Sequence, residues 1–149
     1  MAQGQNSLGY AGDFQAAEAW DLLKREPAAQ LVDVRTTAEW NFVGMPDLAP
    51  VGREVLRVEW QRFPSMDLNP QFVAEVTHAL EHEGVGCEAP ILLLCRSGGR
   101  SRAAAMAMTQ AGFSRAYNIA GGFEGDPDPE RHRGNKNGWK AAGLPWRQT

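Results

Sequence analysis

Leu92-Leu93-Leu94-Cys95-Arg96-Ser97-Gly98-Gly99-Arg100-Ser101-Arg102 is the stretch whose reading decides the fold. An apolar run stops at a cysteine, a short glycine loop carrying arginines follows, and an alanine-rich segment continues from it. The run reads as a buried strand and the segment as a helix. Cys95 then sits at the carboxyl end of a strand, where open α/β sheets collect their ligands. The first amides of a helix lack intrahelical acceptors and carry partial positive charge, so they favour an anion. Thiolate is the nucleophilic form of cysteine, and cationic neighbours and a helix N-terminus favour it. Gly98 and Gly99 allow the unusual dihedrals that let successive N–H groups curl around an anion. The stretch therefore predicts a strand–loop–helix unit in which Cys95 attacks something anionic.

Apolar runs and helical periods alternate on either side of this unit. Phe14 to Arg25 carries Ala16, Ala17, Trp20 and Leu23 at helical spacing, with Asp13 as the expected N-cap and Pro27 beyond the end. Leu31 to Val34 reads as a buried strand, Thr37 to Phe42 as a short helix and Val55 to Val58 as a second strand. Pro70 is placed for the first turn of a helix over Gln71 to Glu83, whose Phe72, Val73, Val76, Ala79 and Leu80 share a face, and Gly84 closes it. Ile91 to Leu94 is uniformly apolar, as expected when both faces are covered. Arg100 to Ala111 follows as helix up to Gly112, and Ala116 to Ile119 as strand. Such alternation predicts an α/β domain of three layers, a central, mostly parallel five-stranded sheet with helices on both faces.

Composition limits the alternatives. At 149 residues the chain suits one domain, expected over 1–149 with a core at about 13–124 and a loop and tail over 125–149 that fold back onto it. No apolar run approaches a membrane span, and the start Met1-Ala-Gln-Gly-Gln-Asn-Ser-Leu has neither a basic nor an apolar stretch. With two cysteines and no visible leader, free thiols in a reducing cytoplasm are expected. A net charge of −3 offers nucleic acid no reason to bind. The distribution of charge is sharper: 18 acidic residues occur in the chain, yet none between Ala89 and Phe123, where Arg96, Arg100, Arg102 and Arg115 lie. A local positive field suited to thiolates and small anions is expected there.

Three motifs in order carry a family resemblance. Asp33-Val34-Arg35, followed by Glu39-Trp40, lies upstream, Cys95-Arg96-Ser97-Gly98-Gly99-Arg100-Ser101 in the middle, and Gly121-Gly122-Phe123 downstream. Together they resemble a single-domain rhodanese, a sulfurtransferase. The resemblance implies a rhodanese-like fold and a double displacement at Cys95. The thiolate would take the outer sulfur of thiosulfate, release sulfite, and pass the persulfide sulfur to cyanide or a thiol, free or on a protein acceptor. Arg96, Ser97, Gly98, Gly99, Arg100 and Ser101 would bind the anionic donor. Arg100 is the first candidate for its sulfonate, because a guanidinium meets two oxygens at once. Asp33 and Arg35 would brace the loop. No cofactor or metal, and no nucleic-acid or membrane partner, is implied. Family members often carry a Gly-His-Ile-Pro-Gly-Ala-like element; here Val43-Gly44-Met45-Pro46-Asp47-Leu48 lacks the histidine and leads into a longer connection through Trp60 and Pro64.

Loop length separates this reading from a cysteine phosphatase or arsenate reductase. Those enzymes cradle phosphate in a Cys-x5-Arg loop, whereas Cys95 to Arg100 is Cys-x4-Arg and Leu94 stands where a histidine is usual. A catalytically silent binding or regulatory module is the remaining alternative. Cys87 lies among glycines with Glu88 beside it and reads as an incidental thiol. His78 and His82 have a metal-compatible spacing without a third ligand, and read as a solvated helix face. Asp126, Asp128 and Glu130 are interrupted by Pro127 and Pro129 and read as a turn rather than a calcium loop. Trp20 suits the core, and Trp60, Trp139 and Trp146 suit the sheet cover or the rim of the site.

Overall fold

The computed structural model describes residues 8–148, so the reading of Met1 to Ser7 lies outside the described residues. The elements run β1 (Gly12–Phe14), α1 (Ala16–Arg25), β2 (Gln30–Asp33), α2 (Thr37–Phe42), β3 (Met45–Pro46), β4 (Leu56–Arg57), β5 (Gln61–Arg62) and β6 (Asp67–Leu68). They continue as α3 (Phe72–His82), β7 (Ile91–Leu94), α4 (Gly99–Gln110), β8 (Ala116–Ile119), α5 (Gly138–Ala141) and β9 (Trp146–Arg147). Five strands form one sheet in the order β1-β8-β7-β2-β4, and every pair in it is parallel.

Residues of β7 alternate between the two faces, as strand geometry requires. Ile91 and Leu93 join Val76, Leu80, Ala104 and Met108 from α3 and α4, while Leu92 and Leu94 join Leu22, Leu23, Phe123 and Trp139 on the other side. All four residues of β7 are fully buried, which is why this strand reads as a continuous apolar run. The three-layer expectation holds.

Three local expectations change. Asp13 does not cap α1 but lies within β1; Gln15 is the N-cap, in a reciprocal capping box with Glu18. Pro70 precedes the Gln71 cap of α3 instead of occupying its first turn. Gly98 alone takes a left-handed φ, of 116°, while Gly99 is already the first residue of α4. The fifth strand, β1, was not among the predicted ones.

The tail returns to the body of the fold. Trp139 of α5 is fully buried, and its Nε1 donates to the Pro145 carbonyl at 2.7 Å. β9 pairs antiparallel with β3, with Trp146 opposite Pro46 and edge-on to the Phe123 ring. Trp60 packs edge-on against Phe72, and Trp20, half-buried, against Trp139. The connection after β4 forms a small antiparallel hairpin, β5 with β6.

Candidate functional site

Cys95 follows directly on β7 and is 1% exposed. Its Sγ accepts a hydrogen bond from the Gly98 N–H at 3.1 Å, closing a tight loop beneath the N-terminus of α4. That loop needs Gly98, because L side chains rarely adopt a φ near +116°. Ser101, fully buried in the first turn of α4, brings its Oγ to 3.2 Å from the same sulfur. Ser97 is half-buried, Gly99 and Arg96 are exposed, and Arg100 is partly covered.

The Gly-Gly-Phe segment holds this loop from behind. Phe123 N–H donates to the Cys95 carbonyl at 2.8 Å, and the Glu124 and Gly125 amides donate to the Arg96 carbonyl at 3.0 and 3.1 Å. Gly122 is required for this approach: a Cβ there would collide with the Cys95 carbonyl oxygen and stand 2.6 Å from that of Arg96. Asp33 and Arg35, both fully buried, form a forked pair, with Nε to Oδ1 at 2.9 Å and Nη2 to Oδ2 at 2.7 Å. Arg35 also donates to the Gly44 carbonyl at 2.8 Å and stacks 4.3 Å over the Phe123 ring. From the end of β2 this pair thus supports the aromatic residue that ties down Cys95.

The acid-free interval of sequence is not acid-free in space. Arg100 is gripped by Glu39 of α2, Nη1 to Oε1 at 2.8 Å and Nη2 to Oε2 at 2.9 Å. Burial pushes the Glu39 carboxyl up, but Arg100 and then Thr36 outweigh it and hold it at about 2. Burial alone would lower the Arg100 pKa; Glu39, then Cys95 and Asp33, raise it above its ordinary value. Arg115 pairs with Glu26 at 3.0 Å. Among the described residues Arg96 and Arg102 enter no ion pair, which leaves Arg96 as the uncommitted guanidinium of the loop itself. Thr36 and Glu39 also line an apolar groove of about 380 Å³ with Ala38, Phe42, Val43, Phe63 and Met66, so the long connection after β3 contributes to the surface beside the Arg100 pair.

Reading the residues alone missed Glu39 as the partner of Arg100, and missed Asn118 and Asp13. Asn118 is fully buried in β8 and bonds both Ser101 and Asp13. Its signal was visible: a polar amide inside the strand Ala116-Tyr117-Asn118-Ile119 needs a buried partner. Cys87 is exposed and precedes β7, whereas Cys95 follows it, so the strand separates the two thiols. His78 and His82 are exposed. Asp128, Glu130 and His132 cluster closely enough to hold a cation. The Asp128 carboxylate, however, already accepts the Glu130 and His132 amides and the Asn135 side chain, the pattern of a turn.

The family model described as STR4 middle domain matches residues 11–149. The crystal structure of Rv0390 from M. tuberculosis superposes with a TM-score of 0.83 at 48% identity, covering 94% of this chain and 99% of that one. The uncharacterised protein RC0915 of Rickettsia conorii is 37% identical over 88% of this chain and 93% of its own length. At lower identity stands the thiosulfate sulfurtransferase GlpE of Actinobacillus pleuropneumoniae, 25% over 86% of this chain and 85% of its own. The rice protein THYLAKOID RHODANESE-LIKE matches at 27% over 91% of this chain and a quarter, 25%, of its own length.

Proposed function

Taking as premise that the chain belongs to the STR4 middle-domain family and has a rhodanese-like fold, we propose that it transfers sulfane sulfur from thiosulfate or a similar anionic donor to a thiol or cyanide through a persulfide on Cys95. The observation that carries this reading is the placement of Cys95 Sγ, at a strand's carboxyl end, under the α4 N-terminus and hydrogen-bonded by the Gly98 N–H at 3.1 Å.

The chemistry balances in two displacements. The Cys95 thiolate attacks the outer sulfur of thiosulfate; a Cys95–S bond forms, the sulfur–sulfonate bond breaks, and its electron pair leaves with sulfite. An acceptor thiolate or cyanide then attacks the outer sulfur, the Cys95–S bond breaks, and the thiolate returns. Splitting one transfer into two lowers each barrier. The loop amides and guanidinium groups stabilise the charge that moves during each step, as in an oxyanion hole. Arg96, Ser97, Gly98, Gly99, Arg100 and Ser101 form the donor site on this reading. Arg96 supplies a free charge, and Arg100 one whose fork Glu39 must share. Asp33 and Arg35 brace the loop through Phe123. A cytoplasmic thiol pool would supply an acceptor, free or on a protein, and suits both free cysteines.

Intact-mass spectrometry after thiosulfate treatment tests the proposal. The expected result is one added sulfur on the wild type and none on Cys95→Ser, whose thiocyanate production from cyanide is lost while its fold persists. Thiocyanate production by Cys95→Ser at the wild-type rate would refute the mechanism. Absence of any adduct, with hydrolysis of a phosphate ester instead, would favour phosphatase chemistry; inactivity in both assays would favour a binding module.

A further inference from the structure

A hydrogen-bonded chain links the surface to Cys95, and its direction is set at the far end. Asp13 of β1 and Asn118 of β8 are register partners in adjacent parallel strands. The Asp13 Oδ1 accepts from Asn118 Nδ2 and from the Tyr10 hydroxyl, each at 2.9 Å. A carboxylate only accepts, so it turns the Asn118 amide with its NH2 outward and its carbonyl oxygen inward. That inward Oδ1 lies 2.5 Å from Ser101 Oγ, which is itself 3.2 Å from Cys95 Sγ. Ser101 has a single hydroxyl proton, and the short contact to Oδ1 takes it. Ser101 then offers the sulfur a lone pair, which suits an S–H donor and does not suit a thiolate.

We propose that Asp13 and Asn118 are positioning residues that govern Cys95 by fixing the direction of the Ser101 hydroxyl, holding the resting sulfur as a thiol until Ser101 turns. When the thiol proton leaves to a base in solvent, the Ser101 O–H must rotate toward the sulfur, and the fully buried Asn118 Oδ1 loses its donor. A buried acceptor left without a partner is costly, so the chain opposes formation of the thiolate. If the Asp13 acceptor is removed, the Asn118 amide is free to reverse. Its NH2 then donates to Ser101, Ser101 donates to the sulfur, and the outward carbonyl oxygen takes a donor from the amide that Asp13→Asn introduces or from the solvent that borders this exposed position. Other charged groups border the chain: Arg102 faces the Tyr10 hydroxyl, and Arg100 faces Cys95. The role of this control rests on the sulfur-transfer reading, but the control itself is a property of the thiol.

The test is the rate of alkylation of Cys95 by iodoacetamide at pH 7, in a Cys87→Ser background so that one thiol reports. Asp13→Asn, nearly isosteric at an exposed position, is expected to speed alkylation about tenfold, the scale of one hydrogen bond to a charged group. Asp13→Ala, which removes the acceptor altogether, is expected to do the same. Deleting a negative charge would also favour a thiolate, so both variants are repeated with Ser101→Ala. The relay predicts that the acceleration then falls below about twofold, because the coupling runs through Ser101; a purely Coulombic effect would persist. No acceleration in either Asp13 variant, or equal acceleration with and without Ser101, would overturn the proposal. Thiosulfate treatment of the same proteins keeps the two readings apart. A protein that gains no sulfur yet shows the predicted alkylation pattern refutes sulfur transfer and supports the relay.

Discussion

Replacing Glu39 by Gln separates the charge of the Arg100 pair from its shape. Gln retains the length of the side chain and can still serve in the Thr36 capping box, where Glu39 Oε1 accepts from the Thr36 N–H at 3.1 Å and from its hydroxyl at 3.0 Å. What it loses is the forked ion pair to Arg100 at 2.8 and 2.9 Å. Moving the carboxyl from 4.5 to about 2 corresponds to about 3 kcal/mol of preference for its ionised form in the folded protein. Thr36, whose bonds Gln can keep, supplies part of that preference, and each side chain of the pair is 19% exposed, so the expected loss after screening by solvent is about 2 kcal/mol at pH 7. The sign with pH follows from linkage. The folded pKa lies below the unfolded one, so the contribution is complete above about 4.5 and is lost as pH falls toward 2. Urea unfolding of wild type and Glu39→Gln at pH 7 and pH 3 measures it. The difference between the two proteins should shrink to less than about half its neutral value at pH 3. An equal difference at both pH values would refute the electrostatic account and leave only a packing effect. The same variant releases the Arg100 fork, so on the sulfur-transfer reading its KM for thiosulfate should fall.

Asp33→Ala should cost about 3–5 kcal/mol in urea unfolding, because it strands a fully buried Arg35 guanidinium without its carboxylate. A loss below about 1 kcal/mol would contradict the bracing role. Cys87→Ser should leave persulfide loading of Cys95 unchanged in an intact-mass assay, since β7 stands between the two thiols; loss of loading would make Cys87 a partner in the reaction.

The parts of this fold that could be read in advance are those whose burial is written locally. β7 and β8 match the predicted Ile91 to Leu94 and Ala116 to Ile119 at both ends: β7 is apolar throughout, as a strand covered on both faces requires, and β8 is apolar but for Tyr117 and the amide of Asn118. β1 was not legible for the opposite reason. Gly12-Asp13-Phe14 has no apolar run, and what makes it a strand is parallel pairing with β8, about a hundred residues away. Asp13 precedes a helical period and so reads as a helix cap, yet Gln15 and Glu18 satisfy the first amides of α1 and free Asp13 for Asn118.

The candidate site divides along the same line. Cys95, its glycine turn and the helix behind it lie within a few residues of one another, so their spacing carries their geometry. The charges do not. A window around Cys95 contains arginines and no acid, but α2 brings Glu39 onto Arg100 from 61 residues upstream, and a field inferred from the window is too positive by that charge. The direction of the Ser101 hydroxyl is likewise decided by Asp13, across a strand register that no local pattern encodes. Local sequence therefore identifies the candidate nucleophile, whereas long-range pairing determines the charges and hydrogen bonds placed around it. Variants at Glu39 and Asp13 should consequently change the reactivity of Cys95 without altering any residue of its loop.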